Sequence, residues 1–205
     1  LEGFGCAQMP QAIGAAGAAL EYLEKTQASL MPKFSGITTY SCAEHMLIDE
    51  TARKNLELTE TSRDRNFQGS LLWVLDQSKT AMGSRLMRNW LLKPLLCPEA
   101  INSRLDAVEE LLQDSGRRKR LESLLSDFSD LERLAVKLSS ETIVPKDLAA
   151  VAASLSLLPD LSRELSDTNC KSFACLKSLP VEAYELFKEI NRALAADPPR
   201  ELSSG

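Results

Sequence analysis

The residues that could carry chemistry are few and scattered. His45 is the only histidine. It has no second histidine and no cysteine or serine partner arranged for nucleophilic work, which makes it a poor general base and a poor metal ligand. A surface position at a strand end is expected for it. The five cysteines, Cys6, Cys42, Cys97, Cys170 and Cys175, are an odd number with no Cys-x-x-Cys pair. That pattern argues against a disulfide framework and fits a reducing cytoplasm. Cys170 and Cys175 lie close in sequence, but no second pair and no nearby histidine follow, so they read as small packing residues. No nucleophile–base pair and no carboxylate pair for acid–base work is found, so no catalytic residue and no metal ligand is assigned.

Nucleotide and nucleic-acid chemistry leave equally little. A phosphate-cradling loop needs Gly-x-x-x-x-Gly-Lys-Ser/Thr, so that backbone N–H groups wrap the phosphates and the lysine meets their charge. None of the nine glycines is followed by lysine, and no ATP hydrolysis is expected of this chain. Arg117-Arg118-Lys119-Arg120 is the one basic run. It could attract phosphates in a salt-dependent way, but it has no interleaved aromatics and has acidic residues on both sides. A solvated turn and helix start is the expectation. The formal net charge of −5 also argues against DNA binding by the chain alone.

The elements that position these residues are mostly helical. Aromatics are only 5% of the 205 residues, while leucine and alanine abound, which favours helix. Pro10 opens a helix over residues 10–29, with Ile13, Ala16, Leu20 and Leu23 on one stripe; Gly14 and Gly17 in it are read as points of close helix–helix approach. Residues 37–41 and 46–48 are short and β-branched or apolar, and are expected to form a small strand pair. Asp49 caps a helix over 50–58, and a polar loop fills 59–69. Ser70 and Thr80 cap helices over 71–76 and 81–92, the second closed by Pro94. Pro98 opens a helix with Ile101, Leu105, Val108 and Leu112 on one face. Shorter helices follow over 118–126 and 130–140. Pro145 opens 145–157, Pro159 a further turn, and Pro180 a helix over 180–195, which Asp197-Pro198-Pro199 stops. Prolines at helix starts rather than interiors support this division. The fold class is mainly α: an irregular multi-helix bundle with a small β-strand pair near the N-terminal third. No transmembrane span or signal peptide is read. The missing initial Met and the Glu-Leu-Ser-Ser-Gly end suggest a piece cut from a longer protein.

One string is specific. Gly69-Ser70-Leu71-Leu72, Val74-Leu75-Asp76, Thr80-Ala81-Met82-Gly83-Ser84-Arg85-Leu86, Trp90-Leu91 and Pro94-Leu95 together closely resemble the core domain of the MutS family of DNA mismatch-repair proteins. The flanks agree: Met46-Leu47-Ile48-Asp49 and Asn55-Leu56-Glu57-Leu58 before it, then Ile101, Arg104, Leu105, Val108 and Glu109 after it. Asp130-Leu131-Glu132-Arg133 and Pro145-Lys146-Asp147-Leu148 resemble two later landmarks, and Gly5 to Gln27 resembles the helix that leads in. The resemblance covers residues 1–205, in order.

The resemblance implies a core and lever segment that ends just before a DNA clamp is inserted, with the mismatch-reading, clamp and ATPase domains outside this chain. MutS proteins are dimeric ATPases that clamp DNA, recognise mismatches and start repair. The implied role is a structural, allosteric relay that couples ATP state to DNA clamping, with ATP and Mg²⁺ held by the ATPase domain and no cofactor in this segment. Implied partners are the remaining MutS domains, mismatched double-stranded DNA through the full protein, and a second copy in a homodimer, in the cytoplasm and without a membrane. Candidate relay residues are Gly83, Arg85, Trp90, Asp130, Glu132 and Arg133. Gly83 would let another backbone come near, Leu86, Trp90 and Leu91 would cluster, and Arg85, Asp130, Glu132 and Arg133 would pair between helices. The plain alternative makes all of them packing and surface residues.

The family's mismatch reader carries a Phe-x-Glu motif, which Phe187-Lys188-Glu189 matches only in letters. That triplet falls in a helix near the end of the chain, where Phe187 fits the apolar stripe. Two rival readings differ in class: a stand-alone helical protein-interaction module, and an independent DNA-binding piece acting through Arg117 to Arg120.

Overall fold

The computed structural model describes residues 9–27, 44–195 and 198. Helix α1 (Pro10–Gln27) starts at the proline, as its missing N–H requires no partner there. A Cβ added at Gly14 or Gly17 would meet no described atom within 4 Å, so the close approach expected at these glycines is not found among the described residues.

The strand pair also requires correction. Residues 37–41 lie outside the described residues, and residues 46–48 form no strand; among the described residues there is no sheet. The chain here lies beside the turn after α4. Met46 N–H donates to Pro94 O at 2.8 Å and Leu96 N–H to Glu44 O at 3.1 Å, closing one isolated antiparallel bridge between His45 and Leu95. Pro94 has no N–H to offer, so the ladder cannot lengthen through it.

Side-chain caps start the next helices. Asp49 Oδ1 accepts Ala52 N–H at 2.6 Å and opens α2 (Glu50–Asn55). This helix is shorter than expected, because Glu57 adopts the left-handed region at φ 48° and turns the chain away. Backbone bonds from Leu71 N–H to Glu57 O and from Leu72 N–H to Leu58 O, each 2.9 Å, then close the polar loop. Leu58 and Leu72 are buried beneath it. Ser70, wholly buried, caps α3 (Leu71–Leu75), and Thr80 caps α4 (Ala81–Leu92).

Cys97 and Pro98 lead into α5 (Pro98–Gln113). Helix α6 (Ser115–Ser126) begins three residues before the expected start, because Asp114 Oδ1 takes Arg117 N–H at 2.8 Å. Next come α7 (Leu131–Ser139), α8 (Pro145–Ser156) and α9 (Leu158–Leu165). A 3-10 turn (Lys171–Phe173), the one-turn α10 (Ala174–Lys177) and α11 (Val181–Ala193) complete the described chain.

Leu121 from α6 and Leu161 and Leu165 from α9 form the main apolar cluster, with Leu111, Leu125, Phe128, Leu158, Phe173 and Leu176 packed around it. Helix α8 lies against α11, the most extensive helix pairing, and also against α7. No helix among the described residues is long and apolar enough to cross a membrane.

Candidate functional site

The densest set of charged contacts lies between α4 and the start of α7. Arg85 sits one turn inside α4, whose entry is fixed by the Thr80 cap on Gly83 N–H at 2.9 Å. Asp130 is the N-cap of α7 and Glu132 stands in its first turn, where a carboxylate is favoured by the helix dipole. The Arg85 guanidinium reaches both. Its Nη1 and Nη2 donate to Asp130 Oδ2 and Oδ1 at 2.8 and 2.6 Å. Its Nε and Nη2 donate to Glu132 Oε2 at 2.8 and 2.6 Å. This two-pronged geometry is what a planar guanidinium does and a lysine cannot. Arg133 Nε lies 3.5 Å from Asp130 Oδ2, so two guanidiniums balance two carboxylates and the junction is neutral.

Electrostatics follow the geometry. The Arg85 hydrogen bond holds the Asp130 carboxyl down to about 2, against a partial upward push from burial and with help from Arg133 N–H. Asp130 first, then Glu132, raise Arg85. The Asp130 side chain is 19% exposed and that of Arg85 40%, so the junction is open to solvent on the arginine side.

The other candidates fall elsewhere. Trp90 is apart from the charged cluster: the Arg104 guanidinium of α5 stacks 3.8 Å from its ring centroid, tying α4 to α5 by a cation–π contact. Burial pushes Arg104 down from its ordinary value. Leu86 is half-exposed, while Trp90, under Arg104, is 38% exposed. What crowds Gly83 is its own helix cap and not another backbone. A Cβ there would stand 3.0 Å from Thr80 Oγ1 and 3.2 Å from Ser78 Cβ.

The remaining motifs find ordinary places. In the basic run, Arg120 Nε pairs with Glu164 Oε2 at 2.8 Å, linking α6 to α9, and Arg117 lies 3.7 Å from Asp114. Phe187 packs beside Leu155, Leu158 and Pro159, while Lys188 and Glu189 are exposed. Lys188 caps the face of the Tyr184 ring at 4.3 Å. His45 is half-buried rather than on the surface, and its Nδ1 has no partner. Cys97 and Cys175 are exposed, so a packing role does not describe Cys175; Cys170 is half-buried. Among the described residues, no group of three or more His, Cys, Asp or Glu side chains gathers as a metal site.

Two further ties were not read from the sequence. Lys137 Nζ holds both Asp147 oxygens at 2.9 Å, joining α7 to α8. Asp147 also takes Val144 N–H at 3.3 Å at the start of α8. The Glu110 carboxylate of α5 accepts Asn169 and Cys170 N–H at 2.6 and 2.8 Å, fixing the turn before Lys171–Phe173. An acidic residue two places after Pro145 was a visible signal for Asp147; nothing local marks Glu110.

Residues 51–205 match the family model for MutS domain III. The chain is 45% identical over its whole length to the DNA mismatch repair protein MutS of Synechococcus elongatus, and 42% identical to those of Trichormus variabilis and Acaryochloris marina. It spans about a quarter of the length of these relatives, 23% of the first.

Proposed function

Because the chain belongs to the MutS family, as its domain III, we propose that it is a structural relay within a longer mismatch-repair protein. In this reading it passes displacement between an ATPase and a DNA clamp that lie outside the chain, in a homodimer that engages mismatched double-stranded DNA in the cytoplasm. In this reading ATP and Mg²⁺ are held by the ATPase domain of that longer protein; no glycine of this chain precedes a lysine, as a phosphate-cradling loop requires. A stand-alone interaction module remains the alternative; no specific contact favours it.

The observation that carries the relay reading is an unbroken series of junctions from α4 to α11. Arg85 joins α4 to Asp130 at the head of α7. Lys137 joins α7 to Asp147 in α8. Helix α8 then lies against α11, with Ala152 of α8 and Ile190 of α11 both buried. A helix of 13 residues carries that connection about 20 Å further. Coupling requires such physically connected elements and at least one with two arrangements.

The test is a softened lever in the intact MutS protein that carries this domain. Glu185 and Glu189 of α11 are exposed, so glycine at both leaves the packed face alone while weakening the helix by about 1 kcal/mol per site. ATP-driven release from mismatched DNA should slow, with ATP hydrolysis retained. Release at the unaltered rate would sink the rigid-lever reading.

A further inference from the structure

The Asp130 carboxylate serves two masters. As N-cap of α7 it accepts Arg133 N–H, and as ion-pair partner it accepts the Arg85 fork with both oxygens. The cap bond is long, 3.3 Å. The other aspartate caps are 2.6 Å at Asp49 and 2.8 Å at Asp114. The two backbones agree closely at ψ and differ at φ, −118° at Asp114 and −72° at Asp130. Asp114 has ψ 88° and Asp130 ψ 81°, yet Asp114 reaches its amide fully. Among the described residues, Arg117 at 3.7 Å is the cation within ion-pair distance of Asp114, with Arg120 acting on it from further away. What further distinguishes Asp130, and acts on the same two oxygens, is the bidentate guanidinium from a second helix.

We propose that Asp130 is a positioning residue whose carboxylate is traded between Arg85 of α4 and the N-terminus of α7, so that withdrawal of α4 tightens the first turn of α7. When Arg85 leaves, both oxygens are released. Oδ1 closes on Arg133 N–H, and Oδ2 is left to Arg133 Nε, already 3.5 Å away and on an 80% exposed side chain free to swing in. Glu132 keeps Arg85 nearby through its own oxygen, which makes the exchange a short movement. Among the described residues, the charged groups within ion-pair distance of Asp130 are Arg85 from α4 and Arg133 from α7 itself. This gives the relay reading a moving part. It rests on that reading for any consequence at DNA, whereas the exchange itself is measured in the 205-residue chain with no nucleotide or DNA present.

The experiment is site-resolved amide hydrogen exchange on the chain and on Arg85→Gln. A merely structural ion pair predicts faster exchange at Arg133 once it is removed. The exchange device predicts slower exchange, roughly threefold, because the cap bond shortens. Asp130→Asn separates the two roles, since asparagine caps well but carries no charge; Arg133 exchange should slow there too. Should either variant fold poorly, the unaltered chain still decides. Raising salt from about 0.05 to about 1 M screens the solvent-open Arg85 pair far more than the cap, so Arg133 exchange should slow relative to Arg117, whose cap has no such competitor. Unchanged or faster exchange at Arg133 in these comparisons would overturn the proposal, whatever the lever test shows.

Discussion

Two junctions in this molecule hold helices together by opposite means. Between α6 and α9, Leu121, Leu161 and Leu165 exclude water and pack non-directionally. Between α4 and α7, Arg85, Asp130 and Glu132 meet through directional bonds with the arginine 40% exposed. Apolar burial tolerates small sliding but resists separation, because any gap forfeits contact. A solvent-open ion pair contributes little net stability, since water competes for both partners. It fixes an angle while remaining easy to break. The first junction suits a body that must stay whole, the second a joint.

The comparison is broken most severely from the apolar side. Leu165 is 3% exposed in the centre of the cluster. Leu165→Ala should lower stability by about 2–5 kcal/mol through lost transfer energy and the cavity left behind. Urea unfolding would show this as a lower midpoint, equally at low and high salt. A loss below that of Arg85→Gln would reverse the assignment of body and joint.

A smaller effect is expected where the two regions touch. Ser154 of α8 is wholly buried; its Oγ accepts Ser129 N–H and donates to Ala150 O, both at 3.0 Å. Ser129 immediately precedes the Asp130 cap. Ser154→Ala would leave a buried N–H without its acceptor, at a cost of about 1–3 kcal/mol. It should also speed exchange at Asp130 and Leu131, which Leu165→Ala should not do selectively. Uniform loosening in both variants would mean that no separate joint exists.

The body was more legible in the sequence than the joint. Helix starts at Pro10, Ser70, Thr80, Pro98 and Pro145 could be read because a cap or an N1 proline acts within one turn. Asp114 was equally local but lay behind the basic run, which drew the expected start to residue 118. The turn at Lys171–Phe173 had no readable signal, since the Glu110 carboxylate that fixes it comes from 59 and 60 residues away. The strand pair was misplaced because short β-branched runs give no partner, and Pro94–Leu96 lies far along the chain. Arg85 and Asp130 stood out only through the family resemblance. Spacing alone cannot bring together groups 45 residues apart, nor show that one of them is also a helix cap.

The subtlest way to sharpen the contrast is pH, since the cluster of Leu121, Leu161 and Leu165 itself has no group that titrates. Asp130 is held at about 2, chiefly by Arg85, below its ordinary 3.8. A carboxyl lowered on folding favours the folded state when ionised. Its contribution is therefore fully present above about pH 4 and is lost as the pH falls through about 2. Arg85 stays charged throughout. The urea midpoint of the chain should exceed that of Asp130→Asn by a constant margin from pH 7 down to about 4, and the margin should close below about pH 2. Groups remote from this junction are the same in both proteins and drop out of the difference. In an Arg85→Gln background the same substitution should show a margin much reduced at every pH, because the group that lowers Asp130 has gone. A margin that persists below pH 2 would mean that the Asp130 charge is not its source, and one that survives unchanged without Arg85 would place the value of that charge at the N-terminus of α7 itself, leaving α4 and α7 joined by something other than charge.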